Sequence, residues 1–385
     1  MRKKTGILMF VTLVFILTAT LVVLLPCDRA LAESEEINIE YYRGKVLSIE
    51  EQRQDDYFLE RDVKLEITSG PYQGKTTNYF YYHREDDHYA ETDIEKGMEV
   101  VLGVKTAPDG AIEDIYIHDM VRDRGIYYLA ALFVILLVLV GRKQGWKTLL
   151  TIAFTGLVLV KVMIPLLWEG YNPIFLSTVC AVGIIVFILL VIGGINAKSF
   201  SAILGTASGV LVAGLLAFWI GEFSHLTGFS DEEAQTLFYL GENIDIRGLL
   251  YAGIIIGSLG AVSDVGMSVA SAAAELKEVN PKISLYHLIQ STMNVGRDIM
   301  ATMANTLILA YVGSSIPLML LITYDNVNWL RIINMDLVAT EVVRGIAGSI
   351  GLVVAIPITA LIAGLLLNRR KTEEANEEEV NYFYF

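Results

Sequence analysis

The run Gly253 to Leu276, GIIIGSLGAVSDVGMSVASAAAEL, is apolar and small enough to cross a membrane, yet it carries Asp264 well inside it. A charged Asp at the centre of a spanning helix costs about 2.5–3.5 kcal/mol on insertion scales, so the carboxyl needs a partner, a proton or a task. Helical spacing supplies a context. Gly253, Gly257, Ala261, Asp264, Ser268, Ser271 and Glu275 follow one another at intervals of three or four residues and share one side of a helix. Gly253, Gly257 and Ala261 are small enough to let another backbone approach, and the hydroxyls can hydrogen-bond across helices. The chemistry open to such a face is protonation or cation binding, with Ser263 and Ser268 as further oxygen ligands.

The next apolar run offers a candidate partner. In STMNVGRDIMATMANTLILAYVG, Asn294, Asp298, Ala301 and Asn305 recur at helical spacing. If that span starts near Ile299, Asn305 lies about 9 Å and Asp264 about 14 Å from the same membrane face, close enough for Asn305 to complete the Asp264 site. A third small-residue face, Ser201, Gly205, Gly209 and Ala213, repeats at every fourth position, and Gly205 and Gly209 are expected to pack against a helix. Lys161, in LVLVKVMIPLL, is the other charge within spanning range. Its long stem allows it to snorkel outward, and a place in an ion or substrate path is the functional alternative.

These residues belong to a chain of 385 residues that is 54% hydrophobic and 19% charged, which sets it apart from an ordinary soluble globule. The formal charge of −14 is concentrated. Residues 33–124 hold 23 acidic and 11 basic side chains, a net −12. No basic stripe exists to neutralise phosphates, so nucleic acid is excluded as an expected partner. Cys27 and Cys180 make neither a disulfide framework nor a metal site. HExxH, GxSxG and Gly-rich phosphate loops are absent, as is the GxGD of intramembrane aspartyl proteases, and no enzymatic function or cofactor is expected.

Four segments follow. Residues 1–32 have a basic start, an apolar run and ALA before Glu33, which reads as a signal peptide or an uncleaved signal-anchor; LLPC around Cys27 is a weak lipoprotein box. Residues 33–124 hold five short Val-, Ile- and Tyr-rich segments separated by turns such as SGPYQGK and APDG, which predicts a small exported β-barrel of OB-like type. Within it, HREDDHYAETD (His83 to Asp93) gathers His and carboxylates without the spacing of a metal motif. Residues 125–367 predict an all-α polytopic bundle with spans near 126–141, 147–167, 173–195, 200–220, 248–273, 299–323 and 345–367, eight with the N-terminal one. Residues 368–385 form an acidic tail ending in YFYF.

Basic residues orient the bundle. Arg2, Lys3, Lys4, Arg142, Lys143, Lys147, Lys198, Lys277, Lys282, Arg297, Arg369, Arg370 and Lys371 fall on one side when eight helices alternate. That side is the expected cytoplasmic face, with the β-domain outside the cell membrane.

GSLGAVSDVGMSVASAAAEL, NVGRDIMATMANTLILAYVG and NAKSFSAILGTASGVLVAGLLAF resemble the membrane core of the YibE/F-like family of bacterial membrane proteins. The segment from GKVLSIE to KGMEVVLGV is similar to the domain that precedes that core in many members. The resemblance implies a multi-spanning protein of Gram-positive or related bacteria and carries no established activity. Two functions therefore stand open. One is transport of a small solute or ion along the Asp264 face. The other is a bilayer-anchored module whose exported domain engages a protein partner.

Overall fold

The computed structural model describes residues 38–55, 58–84, 94–106, 112–240, 244–324 and 327–382. The N-terminal segment 1–32, residues 85–93 of the acidic stretch and the last three residues of YFYF lie outside them. The chain divides into two compact units, one within Asp28–Val140 and the other within Gly141–Phe385.

Period-two burial builds the first unit. Strands β1 (Asn38–Asp55), β2 (Phe58–Ile67), β3 (Thr76–Arg84), β4 (Glu99–Thr106) and β5 (Ile112–Met120) form one antiparallel sheet in the order β3-β2-β1-β4-β5. Val63, Leu65 and Ile67 of β2 and Val100, Leu102 and Val104 of β4 point to the same side and are fully or almost fully buried, with Val46 between them on β1. A register shift between Val46 and Ser48 lets the long central strand bend. β3 thereby reaches β5, and the sheet curls into a half-barrel. The turn SGPYQGK uses Gly70 and Gly74 at φ 80° and 85°, where a side chain would be strained. Arg43 pairs with Asp123, and Arg124 reaches Glu99 at 3.0 Å, fixing the first turn of the following helix to the sheet.

Helix α1 (Asp123–Val158) carries a break at Arg142 (φ 48°, ψ −124°), between the two spans expected at 126–141 and 147–167. It continues through a π-helical turn, Leu159–Met163, into a short helix, Ile164–Trp168. Pro165 has no N–H to give to the carbonyl four residues earlier, at Lys161, which accounts for the widened turn. Then follow α2 (Pro173–Gly193), α3 (Ala197–Phe223), the short α4 (Glu232–Leu240), α5 (Ile246–Val279), α6 (Leu285–Ser314), α7 (Ile316–Tyr324), α8 (Trp329–Ile333) and α9 (Asp336–Tyr382). Starts are set by side-chain caps. Asn172, Asn196, Asp245 and Ser284 each accept from the N–H three residues on.

Among the described residues, five helices are long and apolar enough to span a membrane, or six if α6 and α7 count as one. That is fewer than the seven read from the sequence for this region. The difference arises at Arg142, where two helices meet at a kink and are counted together as the run Asp123–Trp168, so the boundary expected between 141 and 147 coincides with that break. The span expected over 299–323 also differs. It begins at Leu285 and is bent by 59° at Ser315, two residues before Pro317, which cannot donate to Gly313.

Close backbone approach organises the second unit. Neighbours of the small residues place Gly221 beside Tyr251 and Gly209 beside Val262, so α3 runs antiparallel to α5. Gly209 also meets Gly351 and Ala355, and Gly205 meets Thr359, so α9 runs antiparallel to α3. Gly296 touches Ile356 and Gly364 touches Ile289, which makes α6 antiparallel to α9. Pro173 lies against Gly248, and Gly193 against Met267, so α2 and α5 are parallel. Phe154 stacks on Phe187 at 3.8 Å, and Lys147 donates to the Ile192 carbonyl at 3.3 Å, so the second half of α1 runs back along α2. Ala181, Ile184, Ile185, Ala202, Val262, Val265, Leu352 and Ala355 form the core between these helices.

Candidate functional site

Asp264 projects from a flank of α5, beside α2, that is exposed among the described residues. Val262, Ser263, Val265 and Gly266 beside it are buried, whereas Asp264 and Ser268 are exposed, as are Gly253 and Gly257 on the same stripe. A Cβ added at Gly253 would meet nothing within 4 Å; at Gly257 it would meet only the Tyr311 hydroxyl, 2.9 Å away. Among the described residues Gly253 and Gly257, expected at a helix contact, lie on an open surface. Ala261 is half-buried on its edge. The physical reason lies opposite. The other side of α5 presents Ile255, Val262, Val265, Val269 and Ala273, and this apolar side takes the core.

A pocket of about 210 Å³ sits at Asp264, walled by Ile188, Leu189 and Ile192 of α2 and floored by Ser263, Asp264, Met267 and Ser268 of α5. The Asp264 carboxyl makes no hydrogen bond and no ion pair among the described residues. Ser263 donates to the Gly260 carbonyl at 2.8 Å, which leaves its oxygen lone pairs free to accept. Depth follows from the neighbours. With Pro173 level with Gly248, the 21-residue α2 ends near residue 268 of α5. Asp264 is thus about one turn, roughly 6 Å, inside the end of α2.

The other expected ligands are elsewhere. Asn305 does not line this pocket; it is exposed on α6, and its amide makes no hydrogen bond among the described residues. Lys161 is exposed in the π-helical turn, also outside the pocket. Gly205 and Gly209 lie at the crossing of α3 with α9, where a Cβ at Gly209 would stand 2.6 Å from the Gly351 carbonyl oxygen.

Two features escaped the sequence reading. Lys277, 9% exposed, donates to the Ile283 carbonyl at 3.2 Å and to Asn368 Oδ1 at 3.3 Å, tying α5, its outgoing loop and α9 together. At the opposite end, the bend between α6 and α7 opens an apolar cleft of about 560 Å³, lined by Tyr311, Leu318, Trp329, Ile332, Val342 and Ile346 among others, with Glu341 on its wall. Glu341 pairs with Arg344 at 2.9 Å. The signal for the cleft was the Gly313-Ser314-Ser315-Ile316-Pro317 sequence, which weakens a helix before a proline breaks it. No group of His, Cys, Asp and Glu that could hold a metal ion occurs among the described residues.

Five or six apolar helices, joined through small residues and carrying the Asp264 carboxyl without a partner among the described residues, define a polytopic membrane protein with an attached β-rich unit. The model of the YibE/F-like protein family matches residues 129–369, more than half of the chain, and the chain belongs to that family. No curated protein and no solved structure matches it.

Proposed function

We propose that this protein moves a small solute or an ion across the bacterial cell membrane, with Asp264 as the group that takes up and releases it. The observation that carries this reading is the Asp264 carboxyl itself, exposed in a pocket between α2 and α5 without a partner among the described residues. A structural Asp would be hydrogen-bonded to a neighbouring helix; one left open and near a bundle end suits loading from water. Ser263 and Ser268 are the neighbouring oxygens, while Lys161 and Asn305 lie outside the lining of this pocket. Lys147, Lys198, Lys277 and Lys282 belong to the end of the bundle nearest Asp264, which supports a cytoplasmic position for that end and for the C-terminus, with residues 33–124 exported as an OB-like domain. Neither enzymatic chemistry nor nucleic-acid binding forms part of this reading.

Charge movement by the full-length protein in proteoliposomes, under imposed proton and cation gradients, tests it. Wild type is expected to give a transient current that Asp264→Asn abolishes and Asp264→Glu retains in part. Equal currents in wild type and Asp264→Asn would remove Asp264 from the pathway.

A second reading rests on the β-rich unit. Tyr41, 54% exposed, stacks near His118 with ring centroids 4.8 Å apart, and the Tyr116 ring lies over Gly103 beside them. Such an open aromatic face fits a protein partner. Deleting residues 33–124 distinguishes the two readings: transport survives the deletion, whereas a binding module loses its phenotype.

A further inference from the structure

The side of α6 that faces away from the core carries an unusual register. Asn294, Asp298, Ala301, Asn305, Ile308 and Val312 follow at intervals of 4, 3, 4, 3 and 4 residues, and all six are exposed. That alternation is a heptad seam, the pattern by which one helix packs along another. Among the described residues nothing packs on it. The core-facing side of α6 is a different set, with Thr292, Gly296 and Leu307 buried. The seam is also too polar for lipid. Gly296 lies against Val269, and Tyr311 against Gly257, so Asn305 is level with residues 260–263 of α5. It therefore sits about 8–12 Å inside the end of α2. Its amide has no hydrogen-bond partner among the described residues, and a bare amide at that depth is unfavourable.

We propose that this face of α6 is the two-fold interface of a homodimer within the membrane, with the two Asn305 side chains hydrogen-bonded to each other. Copies of one chain insert in the same orientation, so a two-fold axis along the membrane normal brings residues of equal depth together. The seam is complementary to itself under that operation. An amide both donates and accepts, so Asn305 meets Asn305 and Asn294 meets Asn294. Ala301, between them, is small enough for close approach. Arg297 and Asp298 are adjacent, exposed and of opposite sign. Among the described residues Arg297 donates to Asn294 of its own helix, at 2.9 Å, and Asp298 forms no ion pair. The same axis brings Asp298 to Asp298, and each Arg297, one residue away, is placed to offset the two carboxylates. Asn305, flanked on the seam by Ala301 and Ile308, occupies the kind of position at which an Asn fixes register and favours two strands. The proposal stands whether or not Asp264 carries an ion.

The test uses the full chain with Cys27 and Cys180 replaced by Ser. Asn305→Cys, oxidised in native membranes, is expected to yield a disulfide-linked dimer. Leu211→Cys, at an exposed position of α3, is expected to give at least tenfold less. Wild type reconstituted into nanodiscs at low protein density should bleach in two steps when singly labelled. Asn305→Gln should keep two steps and Asn305→Leu should shift the population toward one. Cross-linking no greater at 305 than at 211, or single-step bleaching of the wild type, overturns the proposal. Unchanged two-step bleaching of Asn305→Leu would also overturn it, since Asn305 would then not hold the pair.

Discussion

Four buried or half-membrane polar residues show how differently the same cost is met. Lys277 is buried, and its ammonium is satisfied by a carbonyl and an amide. Thr292 is buried and donates to the Leu288 carbonyl at 2.7 Å. Thr359 is buried with its hydroxyl unpartnered among the described residues, against Gly205. Asp264 escapes burial and opens to a pocket. Because an unmet buried hydroxyl is unfavourable, Thr359→Val should raise the thermal midpoint, with a gain of about 1 kcal/mol. A lower midpoint would show that Thr359 has a partner in the membrane. At the surface, Asp119 accepts from the Met120 N–H at 2.7 Å and pairs with Arg122, which together hold its carboxyl below the usual range. A depressed pKa stabilises the fold at neutral pH, and that contribution fades as pH falls through the depressed value. Carboxyl-selective NMR should find Asp119 titrating below its exposed neighbours, and Arg122→Ala should move it upward. The sequence made Asp264 visible because one carboxyl interrupts an apolar run. It did not show which way the stripe faces, since spacing says which residues share a side and not what lies opposite.

Helices α3 and α9 meet glycine against glycine. A side chain at Gly209 would stand 2.6 Å from the Gly351 carbonyl and 2.8 Å from Ala355 Cβ. Gly209→Leu should therefore lower stability by about 1–3 kcal/mol or prevent folding, as overpacking does. Gly253→Ala, into open space, should be neutral or gain up to about 1 kcal/mol from helix propensity. Thermal melting of the two variants side by side checks both. If Gly209→Leu melts like wild type, the crossing is looser than described. At this scale much was legible: the β-strand alternation around Val63 and Val100, and the every-fourth-residue face of α3. The breaks were less so. Pro165 widens a helix, whereas Arg142 and the residues before Pro317 join two helices at a sharp bend, and a hydropathy run does not register such breaks.

Across the whole membrane unit, alternating helix directions gather the ends of α2, α5 and α9 with the starts of α3 and α6. Lys147, Lys198, Lys277 and Lys282 belong to this end, and Asp264 lies about one turn inside it. Lys277→Met should loosen the junction of α5, its loop and α9. Faster proteolysis between Val279 and Ser284 would register that change, and an unchanged rate would mean the Asn368 contact holds nothing. The central claim is that Asp264 is an open, water-reached site on the basic side. Asp264→Cys, in a chain otherwise free of Cys, should react with a membrane-impermeant thiol reagent in inside-out vesicles and stay unlabelled in right-side-out ones. No labelling from either side, or labelling from the outside alone, would contradict it.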